Sequence, residues 1–300
     1  MSKIIRYLQD YFASLNKSLL FYATLFIAAA IFINYRFGLN DWIINQPYVV
    51  QYCSWYLVFS AAFGFGYVAT AALEKTDFFR NRKFVSLLFI APLIFSWKMV
   101  YLPQFQFSGD DLVNEYWNAV VYWPLKVVGV LVMLAVVYRL FNEQDSFYGL
   151  KLKSLNVRPY LIMLLIMIPL VALASTQQDF LFVYPKFQKI SFLGGDNKGW
   201  YKLLYELSYG SDFFTIELFF RGFLVLAFCR YAGKHAVLPM ALFYCTIHFG
   251  KPMGECISSY FGGLILGIVI YNTKTIFGGL LVHLGIAWLM ELGGYFGNLT

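Results

Sequence analysis

Four residues in the C-terminal half of the chain have the types that hydrolytic chemistry uses. Glu217 and Arg221 lie in IELFFRGFL, His248 closes ALFYCTIHFG, and His283 sits midway along GGLLVHLGIAW. Glu217 and Arg221 stand in i, i+4 register, so on a helix they share one face and the carboxylate can meet the guanidinium. A carboxylate and two imidazoles drawn from three separate segments can activate water and stabilise the charge that develops on an attacked carbonyl. The same His, His, Glu set can hold Zn²⁺, but the long separations in sequence are not a local zinc signature, so no cofactor is firmly indicated. Read singly, each residue has a plainer role: an ion pair between helices, or a histidine hydrogen-bonded in a core. The case for chemistry is that all four occur together.

The elements that position them must be helices in lipid. Of 300 residues, 60% are hydrophobic, 21% aromatic and 13% charged, too apolar for a soluble globule and suited to lipid-facing and interfacial positions. Crossing the hydrocarbon takes roughly 20 apolar residues. Candidate stretches centre at about residues 28, 60, 93, 128, 167, 221, 242, 265 and 285, which predicts an all-α polytopic transmembrane helix bundle of about eight or nine spans. The stretch near 242 is the shortest. Lys and Arg concentrate in alternate connections, as in Arg80, Arg82 and Lys83, then Arg139, Lys151 and Arg158, then Arg230 and Lys234. That alternation places the N-terminus inside. The connection over 176–211 fits it least well and suggests a re-entrant or surface helix.

Residues 1–17 put Ile4, Ile5, Leu8, Phe12 and Leu15 on one helical face, with Lys3, Arg6, Asp10 and Lys17 elsewhere, as in an interfacial helix. Residues 18–155 then supply transmembrane helices with few ionisable groups, and 156–300 form a core that holds the chemically interesting ones. The net charge of +7 comes without a basic stripe, so no nucleic-acid partner is expected. Cys53, Cys229, Cys245 and Cys256 lack CxxC spacing and read as packing residues. Gly262, Gly263, Gly267, Gly278 and Gly279 read as sites of close helix approach. Lys98 and Lys126 are expected to snorkel to the interface. Glu255 and Glu291 are expected near helix ends, solvated or paired.

The pattern resembles the CPBP family of intramembrane proteases, also called the Abi or CAAX-protease-like family. Its signature is Glu-Glu-x-x-x-Arg, then Phe-x-x-x-His, then His-x-x-x-Asn. The likeness runs from Asp212 to Ala287, with Glu217 on the second Glu, Arg221 on the Arg, His248 on the first His and His283 on the second. It implies that the first Glu and first His activate water, that the second His and the Asn stabilise the oxyanion, and that the second Glu supports the Arg. Three positions depart: Ile216 stands for the first Glu, Ala287 for the Asn and Tyr244 for the motif Phe. Adjacent helical residues differ by about 100° in direction, so Glu217 takes the first Glu's place only through a rotation or a local bulge. Losing one oxyanion donor costs about 10²- to 10³-fold in rate.

The resemblance implies an intramembrane endopeptidase of the cell (cytoplasmic) membrane. Its catalytic set is Glu217, Arg221, His248 and His283, its partners are membrane lipids and a peptide or membrane-protein substrate, and Glu255 is a substitute base if it folds back. The alternative is a catalytically inactive scaffold or binding protein in which Glu217 and Arg221 lock helices together. A proton-coupled carrier is less supported, because neither internal repeats nor broken helices are evident.

Overall fold

The computed structural model describes residues 2–141, 146–151, 156–190 and 198–299. The described residues are almost entirely helical. In chain order they form α1 (Ser2–Ser14), α2 (Lys17–Phe37), α3 (Leu39–Ile44), α4 (Tyr48–Glu74), α5 (Arg82–Val100), α6 (Asp111–Phe141), α7 (Arg158–Ala174) and α8 (Gln178–Val183). There follow α9 (Lys198–Ile216), which continues as a π-helical run (Glu217–Ala227), then α10 (Cys229–Ala232), α11 (Val237–Thr246), α12 (Met253–Thr273) and α13 (Phe277–Gly297). The expected division between 155 and 156 falls beside residues 152–155, which lie outside the described residues.

Six helices, α2, α4, α5, α6, α12 and α13, are long and apolar enough to cross a membrane, and α7 is a shorter apolar helix. The architecture is therefore an all-α polytopic bundle, and the protein is an integral membrane protein. The expected spans near 221 and 242 take other forms. The first is the π-helical end of α9; the second, α11, is a 10-residue helix, which at 1.5 Å per residue reaches about half the hydrocarbon thickness. The long 176–211 connection contains α8 and the start of α9.

Burial is reversed relative to length. Every residue of α11 and of the π-helical run is buried, whereas the long helices expose side chains such as Phe21, Leu57 and Leu140. Helices with apolar residues all round are what lipid as a solvent requires. They form the shell, and the short C-terminal elements form the centre: α11 packs chiefly against α4 and α12, while α6 packs against α9 and α7 against α13.

Aromatic rings fill this centre. Phe95 lies 4.9 Å from both Phe219 and Phe220, and Phe59 lies 4.7 Å from Phe243, within the range of favourable ring pairs. The π-helical run also approaches the Phe147–Gly149 turn, because a Cβ on Gly222 would stand 2.5 Å from the Tyr148 carbonyl oxygen. Helix starts are fixed locally: the Asn16 side chain accepts from the Ser18 and Leu19 amides, and Asn81 does the same for α5, each cap contributing about 1 kcal/mol. In α1, Ile4 and Tyr11 are buried while Arg6 and Asp10 pair on the exposed side.

Lys98 and Lys126 do not snorkel. Both are buried; Lys98 pairs with Asp212 of α9 at 2.8 Å, and Lys126 sits 4.9 Å over the Tyr122 ring. A long side chain leaves the core only when no partner within reach offsets desolvation, and here Asp212 supplies one. Replacing Asp212 by Ala leaves Lys98 and Lys126 facing each other without a counter-charge. We expect a loss of about 3 kcal/mol, with much of it recovered in a Lys98→Met/Asp212→Leu double variant. Thermal unfolding in detergent checks this, and equal melting of Asp212→Ala and the unaltered protein would contradict a buried pair.

Candidate active site

Two elements, its own π-helical run and α13, meet at Glu217. Its Oε1 is 3.2 Å from Arg221 Nη1 and 3.0 Å from His283 Nδ1. Glu217 is fully buried and Arg221 almost so, at 0% and 1% side-chain exposure, while His283 retains 15%. A buried carboxylate beside a guanidinium accepts hydrogen bonds, so Nδ1 of His283 carries the proton and donates it to Glu217.

Tyr244 connects the rest. Its hydroxyl lies 3.1 Å from His283 Nε2, its ring lies 4.1 Å beneath the Arg221 guanidinium, and its carbonyl oxygen is 2.9 Å from His248 Nδ1. A backbone carbonyl can only accept, so His248 Nδ1 bears the hydrogen and Nε2 holds the free lone pair. The two rings of Tyr244 and His248 meet edge to face at 4.8 Å. The structure therefore joins Glu217, Arg221 and His283 directly and brings in His248 through Tyr244. The Tyr-for-Phe departure, a mild change by size, supplies the link; the signal was the extra hydroxyl at a motif position.

Ile216 contributes no charge and is buried in the main apolar core. The helix widens to π geometry at Glu217, the kind of local distortion that marks functional sites, yet Glu217 stays turned towards Arg221 and His283. Ala287, one turn beyond His283 on α13, is buried and apolar. The His, His, Glu zinc set does not assemble: among the described residues no three His, Cys, Asp or Glu side chains come together as metal ligands. His248 is turned to the Tyr244 carbonyl rather than to Glu217, which explains why.

Glu255 is not simply solvated at its helix end. It is 15% exposed, pairs with Lys251 at 3.4 Å, and accepts from the Tyr184 hydroxyl at 3.2 Å. It also lies within electrostatic reach of His248. Glu291 is buried, and its carboxylate accepts the Lys186 amide at 2.9 Å. Sequence reasoning had no access to the Tyr184 and Lys251 contacts, because neither residue belongs to a motif.

Two of the glycines do more than let helices approach. A Cβ on Gly279 would stand 2.3 Å from Glu217 Oε2, and one on Gly263 would stand 3.0 Å from Tyr244 Cδ1. The absent side chains are seats for the carboxylate and the ring.

Fold and site thus define a polytopic membrane protein with a charged, hydrogen-bonded centre at the heart of its C-terminal helices. Residues 208–289 match the family described as Type II CAAX prenyl endopeptidase Rce1-like, which supports the likeness of this segment to the CPBP, or CAAX-protease, family. No curated protein and no solved structure matches the chain.

Gly279, under Glu217, and Gly262 of α12 give a contrasting test. Gly279→Ala forces the carboxylate off Arg221 and His283 and should cost about 1–3 kcal/mol. Gly262→Ala, where a Cβ meets nothing within 4 Å, should be neutral or slightly stabilising. Thermal unfolding of both proteins in one detergent decides it; equal effects would mean that Gly279 is not the carboxylate's seat.

Proposed function

We propose that this protein is an intramembrane endopeptidase of the cell membrane that hydrolyses a peptide bond in a membrane-associated protein or peptide. The observation that carries the reading is that Glu217, His283 and the Tyr244 hydroxyl are joined by hydrogen bonds while the Tyr244 carbonyl holds His248, all inside the family-matched segment and surrounded by aromatic and aliphatic side chains. A polar group kept in an apolar interior is costly unless satisfied; here both imidazoles are hydrogen-bonded, while Glu217 Oε2 and Arg221 Nε have no hydrogen-bond partner and one nitrogen of His248 is left over.

Access to water separates the roles. Glu217 is fully buried and held by two partners, so it anchors and does not act as the base. His248 is partly exposed and presents Nε2. Water activated there loses its proton to Nε2 as its oxygen attacks the carbonyl carbon; the same proton then passes to the leaving amine as the carbon–nitrogen bond breaks. Glu255 is the carboxylate that stabilises the transient imidazolium. Arg221, whose Nε has no hydrogen-bond partner, is the donor of this cluster towards the tetrahedral oxyanion. The matched family's description names CAAX prenyl substrates, so a prenylated C-terminal peptide is the first substrate to try. α1 packs Ile4 and Tyr11 on the bundle and leaves Ile5 and Phe12 exposed to meet the membrane interface.

The test uses purified protein in proteoliposomes with two internally quenched peptides, one farnesylated with a CAAX end and one unlipidated and hydrophobic. His248→Ala should abolish cleavage with folded yield intact, and Glu255→Gln should lower kcat by about 10²-fold. Glu217→Gln should instead reduce folded yield, because an unpaired buried Arg221 costs about 3–5 kcal/mol. Cleavage undiminished in His248→Ala sinks the proposal, and a well-folded protein that cuts neither peptide points to the scaffold.

A further inference from the structure

We propose that Tyr244 is a positioning residue whose hydroxyl fixes His283 for hydrolysis, taking over on α11 a task that Ala287 cannot perform on α13. The inference rests on the endopeptidase reading above, but the hydrogen bond itself can be tested apart from turnover.

His283 needs both of its ring nitrogens held. Its Nδ1–H is committed to Glu217 at 3.0 Å. An imidazole held at one nitrogen can still tilt about that bond, and the second nitrogen, if buried without a partner, carries a desolvation cost of about 1–3 kcal/mol. Position 287 lies one turn along the same helix from His283, within reach for a hydrogen-bonding side chain, but alanine has neither donor nor acceptor. The hydroxyl of Tyr244 at 3.1 Å from Nε2 fills the gap. Both ring nitrogens are then occupied, and the ring plane is set by two bonds from two different helices.

A phenol is effective here only if it is itself immobile. Four contacts hold it: Arg221 over its face at 4.1 Å, Phe220 edge-on at 5.0 Å, His248 edge-on at 4.8 Å, and the space left by Gly263. The cation over the ring adds to the packing. Phe213 closes the other side of His283 at 4.9 Å. Through its carbonyl the same residue sets the tautomer of His248, so a single side chain and its backbone orient both imidazoles. Of these links, substituting phenylalanine removes only the hydroxyl.

The chain contains three histidines, so ¹⁵N-histidine labelling of the full-length protein in detergent or lipid gives a spectrum simple enough to assign. In the unaltered protein His283 should show a protonated Nδ1 and a hydrogen-bonded Nε2, a reading that needs no variant. In Tyr244→Phe the His283 Nε2 resonance should move while His235 stays put. With the farnesylated CAAX peptide and the hydrophobic peptide as probes, kcat should fall about 10²-fold with KM nearly unchanged. Unchanged His283 resonances, or Tyr244→Phe turning over as fast as the unaltered protein, would overturn the inference. If the unaltered protein cuts neither peptide while the His283 resonance still responds to Tyr244→Phe, the endopeptidase reading falls, and the catalytic use of the bond with it, although the bond itself stands.

Discussion

The structure depends on keeping one carboxylate charged where no water reaches it. Glu217 sits in the buried centre of a bundle whose outer helices face hydrocarbon, and a lone ion there costs several kcal/mol. Arg221 offsets the charge from one turn away, and His283 adds a charge-assisted hydrogen bond from α13. Because the two partners come from different helices, the carboxylate does more than satisfy itself: it ties the end of α9 to α13. The ring of Tyr244 under Arg221 extends the tie to α11. Replacing the acid by a neutral group of equal size would leave three elements without their common fixed point.

Space for this centre is made by subtraction. The π-helical run is wider than an α-helix, and the residues that face it are small where the polar groups need room. Gly279 admits the carboxylate, Gly263 admits the Tyr244 ring, and Gly222 admits the Phe147–Gly149 turn. Large aromatic rings take up the remaining volume and exclude water, which strengthens each electrostatic contact inside. The same logic accounts for Lys98 and Asp212, a second buried pair linking α5 to α9. Long apolar helices alone bind weakly to one another in lipid, since lipid tails are as apolar as leucine. Small residues and polar ties supply what hydrophobic burial cannot.

Much of this was legible in the residues. Hydropathy gave the helical membrane class, and the motif register picked out Glu217, Arg221, His248 and His283, of which Glu217 touches Arg221 and His283 directly and His248 joins them through Tyr244. Window hydropathy misjudged α11, because an apolar run reads the same whether lipid or protein surrounds it; its ten residues are buried by neighbours and are too few to cross a bilayer alone. Snorkelling was the wrong expectation for Lys98 because its partner, Asp212, is remote in sequence. Gly279 and Tyr184 were opaque for the same reason: what they contact is decided by tertiary packing, and no local periodicity encodes it.

On the proposed endopeptidase reading, isoleucine in place of the motif's first acid sets how labour is divided among the remaining groups. A general base must exchange protons with water, and a charge anchor must be kept from it; one carboxylate cannot serve both ends. With Ile216 in the first position, the surviving Glu217 is committed to the anchor by its two partners and its burial. On the same reading, the base is the partly exposed His248, through its free nitrogen, with Glu255 as the nearby acid on α12. Tyr244 reconciles the two halves, since it touches the dry anchor through its ring and hydroxyl and the wet imidazole through its carbonyl. The departures at 216, 244 and 287 are consistent with one another: two remove polar groups from the family pattern, and the third restores a hydroxyl at the point where both histidines can be reached.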